Sequence, residues 1–185
     1  MKRTVSILTA NSQSGLGCIS ALLSGTPRGI NGPQQHNIHV RGLVRSERVR
    51  EALLSSDPVS GLSSNPRLEL VVHALDSVTD LTDALSGSNA AFLVSPPTPD
   101  RADAVTRMIY GAKKAQVSEV AAVLSWAVDT GTPVAQQHFG VCEGVLASEF
   151  SEGHWWTLRV GYFMNVLLQY ASAIRDQVSS LQKLK

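Results

Sequence analysis

The chain has 185 residues, of which 43% are apolar and 17% charged, with a formal net charge of +1. That is globular material with enough apolar residues for one core; it excludes the basic field that recruits nucleic acid or an anionic membrane, and no apolar run approaches the roughly 20 residues that span a bilayer. Two cysteines, Cys18 and Cys142, exclude a disulfide framework, and a reducing, cytoplasmic setting is the expectation.

Residues 4–10, "TVSILTA", are short, apolar and rich in β-formers, which predicts a buried first strand rather than the apolar stretch of a signal peptide. Residues 16–25 carry apolar side chains at helical spacing and stop at Gly25, and 26–37, dense in Gly and Pro, read as a loop. A second strand is predicted at 38–44 and a helix at 46–54 with Ser46 as its N-cap. After a polar loop at 55–66 comes a third strand at 68–75. A helix at 77–87 follows, capped by Ser77, with Asp80 in its first turn and Gly87 at its end. A fourth strand at 90–95 is stopped by Pro96 and Pro97. An amphipathic helix at 99–116, a fifth strand at 119–125, a helix at 133–150 and a sixth strand at 155–160 complete the series, and the chain from Tyr162 onward reads as helical. Strand–helix alternation predicts a doubly wound, mainly parallel α/β sheet, Rossmann-like, with strand order 3-2-1-4-5-6 and helices on both faces.

In such a sheet the turn after the first strand lies where ligands bind. Here it reads "TANSQSGLG", residues 9–17. A phosphate needs backbone N–H groups aimed at it, close approach, and a helix N-terminus behind it. Set on a G-x-x-G-x-x-G frame, the stretch places Asn11, Ser14 and Gly17 at the three glycine positions. Asn11 is the residue expected to take the left-handed turn, Ser14 offers a hydroxyl, and Gly15 a second flexible point. A plain strand-to-helix turn, which also favours Asn, Ser and Gly, is the competing account.

Further segments extend the comparison. "VRGLVRS" (40–46) looks like a second strand ending in a basic residue, "AAFLVSPP" (90–97) like a fourth strand with its cofactor-facing loop, and "HFGVCEGVLASE" (138–149) like a helix that starts near a His. "WWTLRVGYFMNVLLQYA" (155–171) looks like a W-T-x-L-R-P-G-x-F-M-E-N segment with Val160 in place of proline. In that order these segments resemble the NmrA-like proteins, an atypical branch of the short-chain dehydrogenases and reductases, to about residue 177.

The resemblance implies an NAD(P)-binding domain over residues 1–177. It places the pyrophosphate at Asn11, Ser12, Gln13, Ser14, Gly15, Leu16 and Gly17. Arg45 falls at the adenosine ribose, where a guanidinium favours a 2′-phosphate and hence NADP over NAD, with Arg41 and Arg48 able to share the role. A solvated strand-end charge is the alternative for Arg45. Asp76 falls near the adenine, Ser95 and Pro96 beside the cofactor, Ser125 beyond strand five, and Gly161 and Tyr162 near the nicotinamide. Three departures stand out. The glycine loop is degenerate and one residue longer than usual, Cys142 or a neighbour stands where some relatives carry lysine, and the chain stops early. Against the family's length, the resemblance implies that residues 178–185 are an atypical tail and that a substrate-covering subdomain is missing, as expected of a truncated gene product, an alternative reading frame or a splice product.

Other constellations are weaker. Tyr110 and Lys114 have the Y-x-x-x-K spacing of ordinary short-chain dehydrogenases, but on the helix before strand five. Tyr110 lies about eleven residues into that helix, roughly 16 Å from the ligand edge at ~1.5 Å per residue. His138 and Cys142, at i and i+4, are two possible metal ligands without a third. His138, expected near the active edge, is a candidate to orient substrate or donate a proton, with an ordinary helix-start histidine as the alternative. Trp155, Trp156 and Phe163 read as packing. The functional expectation is an NADPH-preferring oxidoreductase acting on a small carbonyl, quinone or imine. The alternatives are a non-catalytic NAD(P)-sensing regulator that binds another protein, or an inactive truncated product.

Overall fold

The computed structural model describes residues 2–24, 37–55, 60–96, 98–125 and 139–160. In chain order they form β1 (Arg3–Ile7), α1 (Gln13–Ser24), β2 (Ile38–Val44), α2 (Glu47–Leu54), a single 3-10 turn (Ser60–Leu62), β3 (Leu68–Val72), α3 (Val78–Leu85), β4 (Ala90–Val94), α4 (Arg101–Lys114), β5 (Glu119–Ser125), α5 (Val141–Glu149) and β6 (Trp155–Val160). The strands make one parallel sheet in the order β3-β2-β1-β4-β5-β6. This is the doubly wound Rossmann-like arrangement expected from the alternation. Chain direction across the sheet reverses between β1 and β4, which opens a crevice at their carboxyl ends.

Side chains alternate across the sheet with the strand period of two. Ile7, Val40 and Val44 join Ile19 and Leu23 of α1 and Leu53 of α2 on one face. Leu8, Leu43, Ala91, Leu93, Val120, Ala122 and Leu124 join α3, α4 and α5 on the other, around Leu81, Met108, Ile109 and Leu146. A fully buried Leu or Ile contributes about 1.5–3 kcal/mol over exposure, so the second face holds the larger share of the apolar stabilisation among the described residues. Among the described residues one polar contact interrupts the core. The Ser6 and Ser88 hydroxyls, both buried, share a 2.6 Å hydrogen bond. At the amino-terminal edge Asn89 joins three strands: its side chain accepts from Thr4 N, its N–H donates to Thr4 O, and its carbonyl accepts from Ser118 and Glu119 N–H.

The caps explain the helix starts. Ser46 Oγ accepts from Val49 N at 3.3 Å. Ser77 and Asp80 form a reciprocal capping box, so Asp80 bonds the cap as well as meeting the helix dipole. Among the described residues, three bounds differ from expectation by three residues. β1 ends at Ile7 rather than at residue 10, because residues 8–10 leave the strand and bond alternately to β4 and β2. α1 begins at Gln13 rather than residue 16, since its first turn is polar and shows no apolar period. β3 stops at Val72, with Leu75 buried beyond it. The predicted loop at 26–37 lies almost wholly outside the described residues. So do the start of the 133–150 helix, the helical reading from Tyr162, and the 178–185 tail.

Candidate functional site

The chain leaves β1 through five tightly tied residues. Leu8 N donates to Phe92 O on β4 and Ala10 N to Leu43 O on β2, at 3.0 and 3.2 Å. Between them Thr9 adopts φ +53°, and among described non-glycine residues only Thr9 and Gln116 have positive φ. A left-handed backbone costs a residue with a Cβ about 1–2 kcal/mol. A hydrogen bond of about 1 kcal/mol offsets part of that, from Thr9 Oγ1 to Val94 O at 2.9 Å. Ser12 N donates back to Thr9 O at 2.9 Å, closing the turn. Ser12 Oγ then accepts from Gly15 N at 3.0 Å and caps α1.

These contacts correct the expected loop frame. The left-handed residue is Thr9, not Asn11. A Cβ on Gly15 would stand 2.7 Å from Thr9 O, 2.8 Å from Ala10 O and 2.9 Å from Ala10 Cα, so Gly15 is the glycine that lets the helix approach the turn. A Cβ on Gly17 would meet nothing within 4 Å. The frame is therefore Thr9, Ser12 and Gly15, with the three roles of turn, helix start and close packing. Its two three-residue intervals are intact, so the extra loop residue expected from the sequence is not required. Asn11 and Leu16 line the surface next to the turn, Ser14 is half-buried, and Gln13 and Gly17 are exposed.

Two adjoining cavities open here and share Asn11 and Val49. One, of about 180 Å³, is lined by Thr9, Val44, Arg45, Leu75 and Pro96 among others, at the carboxyl ends of β1 to β4. The other, of about 540 Å³, lies between α1 and α2 against Leu16, Ser46, Arg48 and Leu53. Arg45, half-exposed, leaves the end of β2 and stands 4.0 Å from the Asp76 carboxylate, which follows β3. An exposed pair of this kind contributes about 0–1 kcal/mol and leaves the guanidinium available to a stronger anion. Pro96 is buried in the wall. Ser95 is half-buried beside it, its hydroxyl bonded to Pro96 O at 3.3 Å.

Of the three arginines considered for one role, two stay near the cleft. Arg48 lines the larger cavity. Arg41 does not share the role: it donates to Glu69 and to Ser86 O, beyond the end of α3. Ser125 closes β5 opposite Val160. His138, Gly161 and Tyr162 lie outside the described residues. Tyr110, 38% exposed, sits on the later half of α4, nine residues past Arg101 and about 14 Å along the helix at ~1.5 Å per residue. The neighbouring Lys113 bonds Glu149 O and lies 5.3 Å from the Phe150 ring centroid.

Cys142 belongs to the core. It is fully buried, its thiol faces Ala102 O at 3.7 Å, and burial holds it above its ordinary range. Burial likewise pushes the Cys18 thiol up to about 11. Among the described residues no three His, Cys, Asp or Glu side chains converge as metal ligands, and no described helix is long and apolar enough to cross a membrane. Sequence reasoning missed three features: the Thr9 turn, the Ser12 cap, and a two-pronged ion pair of Arg159 on β6 with Glu143 on α5, at 2.8 and 2.7 Å. The Thr9, Ser12, Gly15 spacing was present as a signal, had the frame been started at the strand end.

No family model and no curated protein matches the chain. Solved structures do resemble it. An NADPH-dependent quinone oxidoreductase from Escherichia coli, complexed with NADPH, aligns at TM-score 0.69 and 23% identity over 91% of this chain and 53% of its own. A triphenylmethane reductase from Citrobacter sp., complexed with NADP(H), aligns at 0.69 and 16% over 94% and 55%. A nucleoside-diphosphate-sugar epimerase from Staphylococcus aureus aligns at 0.70 and 16% over 96% and 56%. Identities this low establish a common fold. The chain spans about half the length of these proteins.

Proposed function

We propose that the chain is an NADP(H)-binding domain of the NmrA-like kind, serving an oxidoreductase that acts on a small carbonyl, quinone or imine. The observation that carries this reading is the placement of Arg45 and the Thr9–Gly15 turn on one cleft at the sheet's reversal point. The residues fit the group. The N-terminus of α1 offers N–H groups and the positive end of its dipole to a diphosphate. Asn11 and Leu16 flank that approach. Arg45, with Ser46 and Arg48 beside it, supplies the guanidinium and hydroxyl that suit a 2′-phosphate. Asp76 takes a ribose or adenine donor, or holds Arg45 in place until the phosphate replaces it. Pro96, buried in the opposite wall, excludes water from the cofactor's inner side. The bound cofactor supplies the hydride, and the protein fixes geometry and polarity. Two of the aligned proteins are described as NADPH- or NADP(H)-bound reductases, which supports the same reading.

A cofactor-sensing role without turnover is the second reading. Tyr110 favours it, since the Tyr110–Lys114 pair is set away from the cleft on the later half of α4. One titration tests the first reading. NADPH and then NADH are added to the purified chain, followed by nicotinamide fluorescence and melting temperature. NADPH is expected to bind more tightly, and Arg45→Ala to lose about tenfold in NADPH affinity, the ~1.4 kcal/mol of one charge-assisted contact, with little change for NADH. A folded chain that binds neither cofactor refutes it.

A further inference from the structure

The turn after β1 places threonine where the backbone asks for glycine. Thr9 has φ +53° and a branched Cβ, the combination least suited to the left-handed region. Strain of this kind persists only when neighbouring structure fixes it, and it concentrates at ligand clamps. Here the backbone bonds on either side fix the turn, and the side chain adds a contact of its own. Its hydroxyl donates to the carbonyl of Val94, the last residue of β4. Two residues later Pro96 lines the same small cavity as Thr9. The turn and Pro96 both line the cleft, and the 2.9 Å O–H···O bond to Val94 is the side-chain tie between them, one step beyond the backbone bond from Leu8 N to Phe92 O. Glycine would relax the backbone at this position and lose the tie.

Resting on the dinucleotide reading above, we infer that Thr9 is a positioning residue that sets the separation of the two cleft walls, so that a diphosphate on the α1 turn and the part of the ligand beyond it meet a preformed gap. The Thr9 bond does not hold the Arg45 side of the cleft directly, because Arg45 follows β2 and pairs with Asp76 after β3. The tie therefore governs the ligand's inner half and leaves the adenosine end untouched.

Three variants and two probes test this: Thr9→Val, Thr9→Ser and Thr9→Gly, titrated with NADPH and with adenosine 2′,5′-bisphosphate, with melting temperature recorded for each. Thr9→Val keeps the branch and loses the hydroxyl, and is expected to weaken NADPH at least fivefold while adenosine bisphosphate stays within twofold. Thr9→Ser keeps the hydroxyl and is expected to stay within twofold of the parent for both. Thr9→Gly relaxes the backbone without the tie and is expected to lose NADPH affinity as valine does, at a melting temperature no lower than that of Thr9→Val. Tighter NADPH binding by Thr9→Gly overturns the inference, since Thr9 is then an obstacle rather than a spacer. Equal loss of both probes in Thr9→Val overturns it too, because that is general damage to the fold. A parent chain that binds adenosine bisphosphate but not NADPH refutes the preformed gap alone. Binding of neither refutes the dinucleotide reading and the inference with it.

Discussion

Among the described residues, the buried side chains beneath α3, α4 and α5 join in a cluster reaching from Leu8 on the β1 exit to Phe150 beyond α5, whereas the face under α1 and α2 buries a smaller set around Ile7, Ile19, Val40 and Leu53. The candidate cleft opens at the end of this more lightly packed face, against Leu16, Val49 and Ala52. Beyond the backbone bonds of the turn, its side chains are tied by one contact each: Thr9 to Val94, Ser12 to Gly15, Arg45 to Asp76. The difference separates two tasks. One face supplies cooperative stability through mutual packing, and the other presents backbone donors and charges whose arrangement depends on a few identifiable bonds. Local opening is expected first where apolar contacts are fewest.

The sharpest break of this contrast is a cavity in the heavier face. Ile109, fully buried between α4 and the sheet, is expected on substitution to Ala to cost about 2–5 kcal/mol. Urea unfolding would show it as a lowered midpoint with an unchanged m-value, and NADPH affinity of the folded fraction would be retained.

A paired glycine exchange is next in size. Gly15→Ala forces a Cβ against backbone atoms of Thr9 and Ala10 that have nowhere to move. It is expected to cost about 1–3 kcal/mol, the range for overpacking, and to weaken NADPH. Gly17→Ala meets open space in a helix and is expected to gain up to about 1 kcal/mol with binding unchanged. The reverse ranking would restore the Asn11, Ser14, Gly17 frame.

The smallest effect is a slope with pH. The Cys18 thiol, at about 11 in the fold against 9.0 unperturbed, keeps its proton where the unfolded chain loses it. The contribution of Cys18 to stability is therefore flat below about pH 9 and falls as pH rises from about 9 to 11. Melting temperatures across that window check it, and Cys18→Ala should flatten the slope.

Strand–helix alternation was legible because each element carries its own period. β2, β5 and β6 lie where apolar runs end in polar or glycine-rich signals, and Ser46 and Ser77 declare their caps locally. Arg45 and Asp76 were named through the family resemblance, and the structure sets them 4.0 Å apart beyond the ends of β2 and β3. The loop frame was not legible. A glycine in an exposed helical turn, Gly17, looks like the motif glycine, while the residue taking the left-handed backbone is chosen by a bond to Val94, distant in sequence. α1 hid its first turn for a related reason: its cap and polar start answer to the cleft, not to the core.

The buried Ser6–Ser88 pair has a consequence for how such a sequence drifts. Changing either serine alone strands the other hydroxyl away from water, at about 1–3 kcal/mol, whereas losing both to alanine is close to neutral. Each position is thus passable only in the company of the other. Among divergent descendants of this chain the two sites would be inherited as a unit, with both hydroxyls kept or both gone, and intermediates carrying one of them would be the rare class.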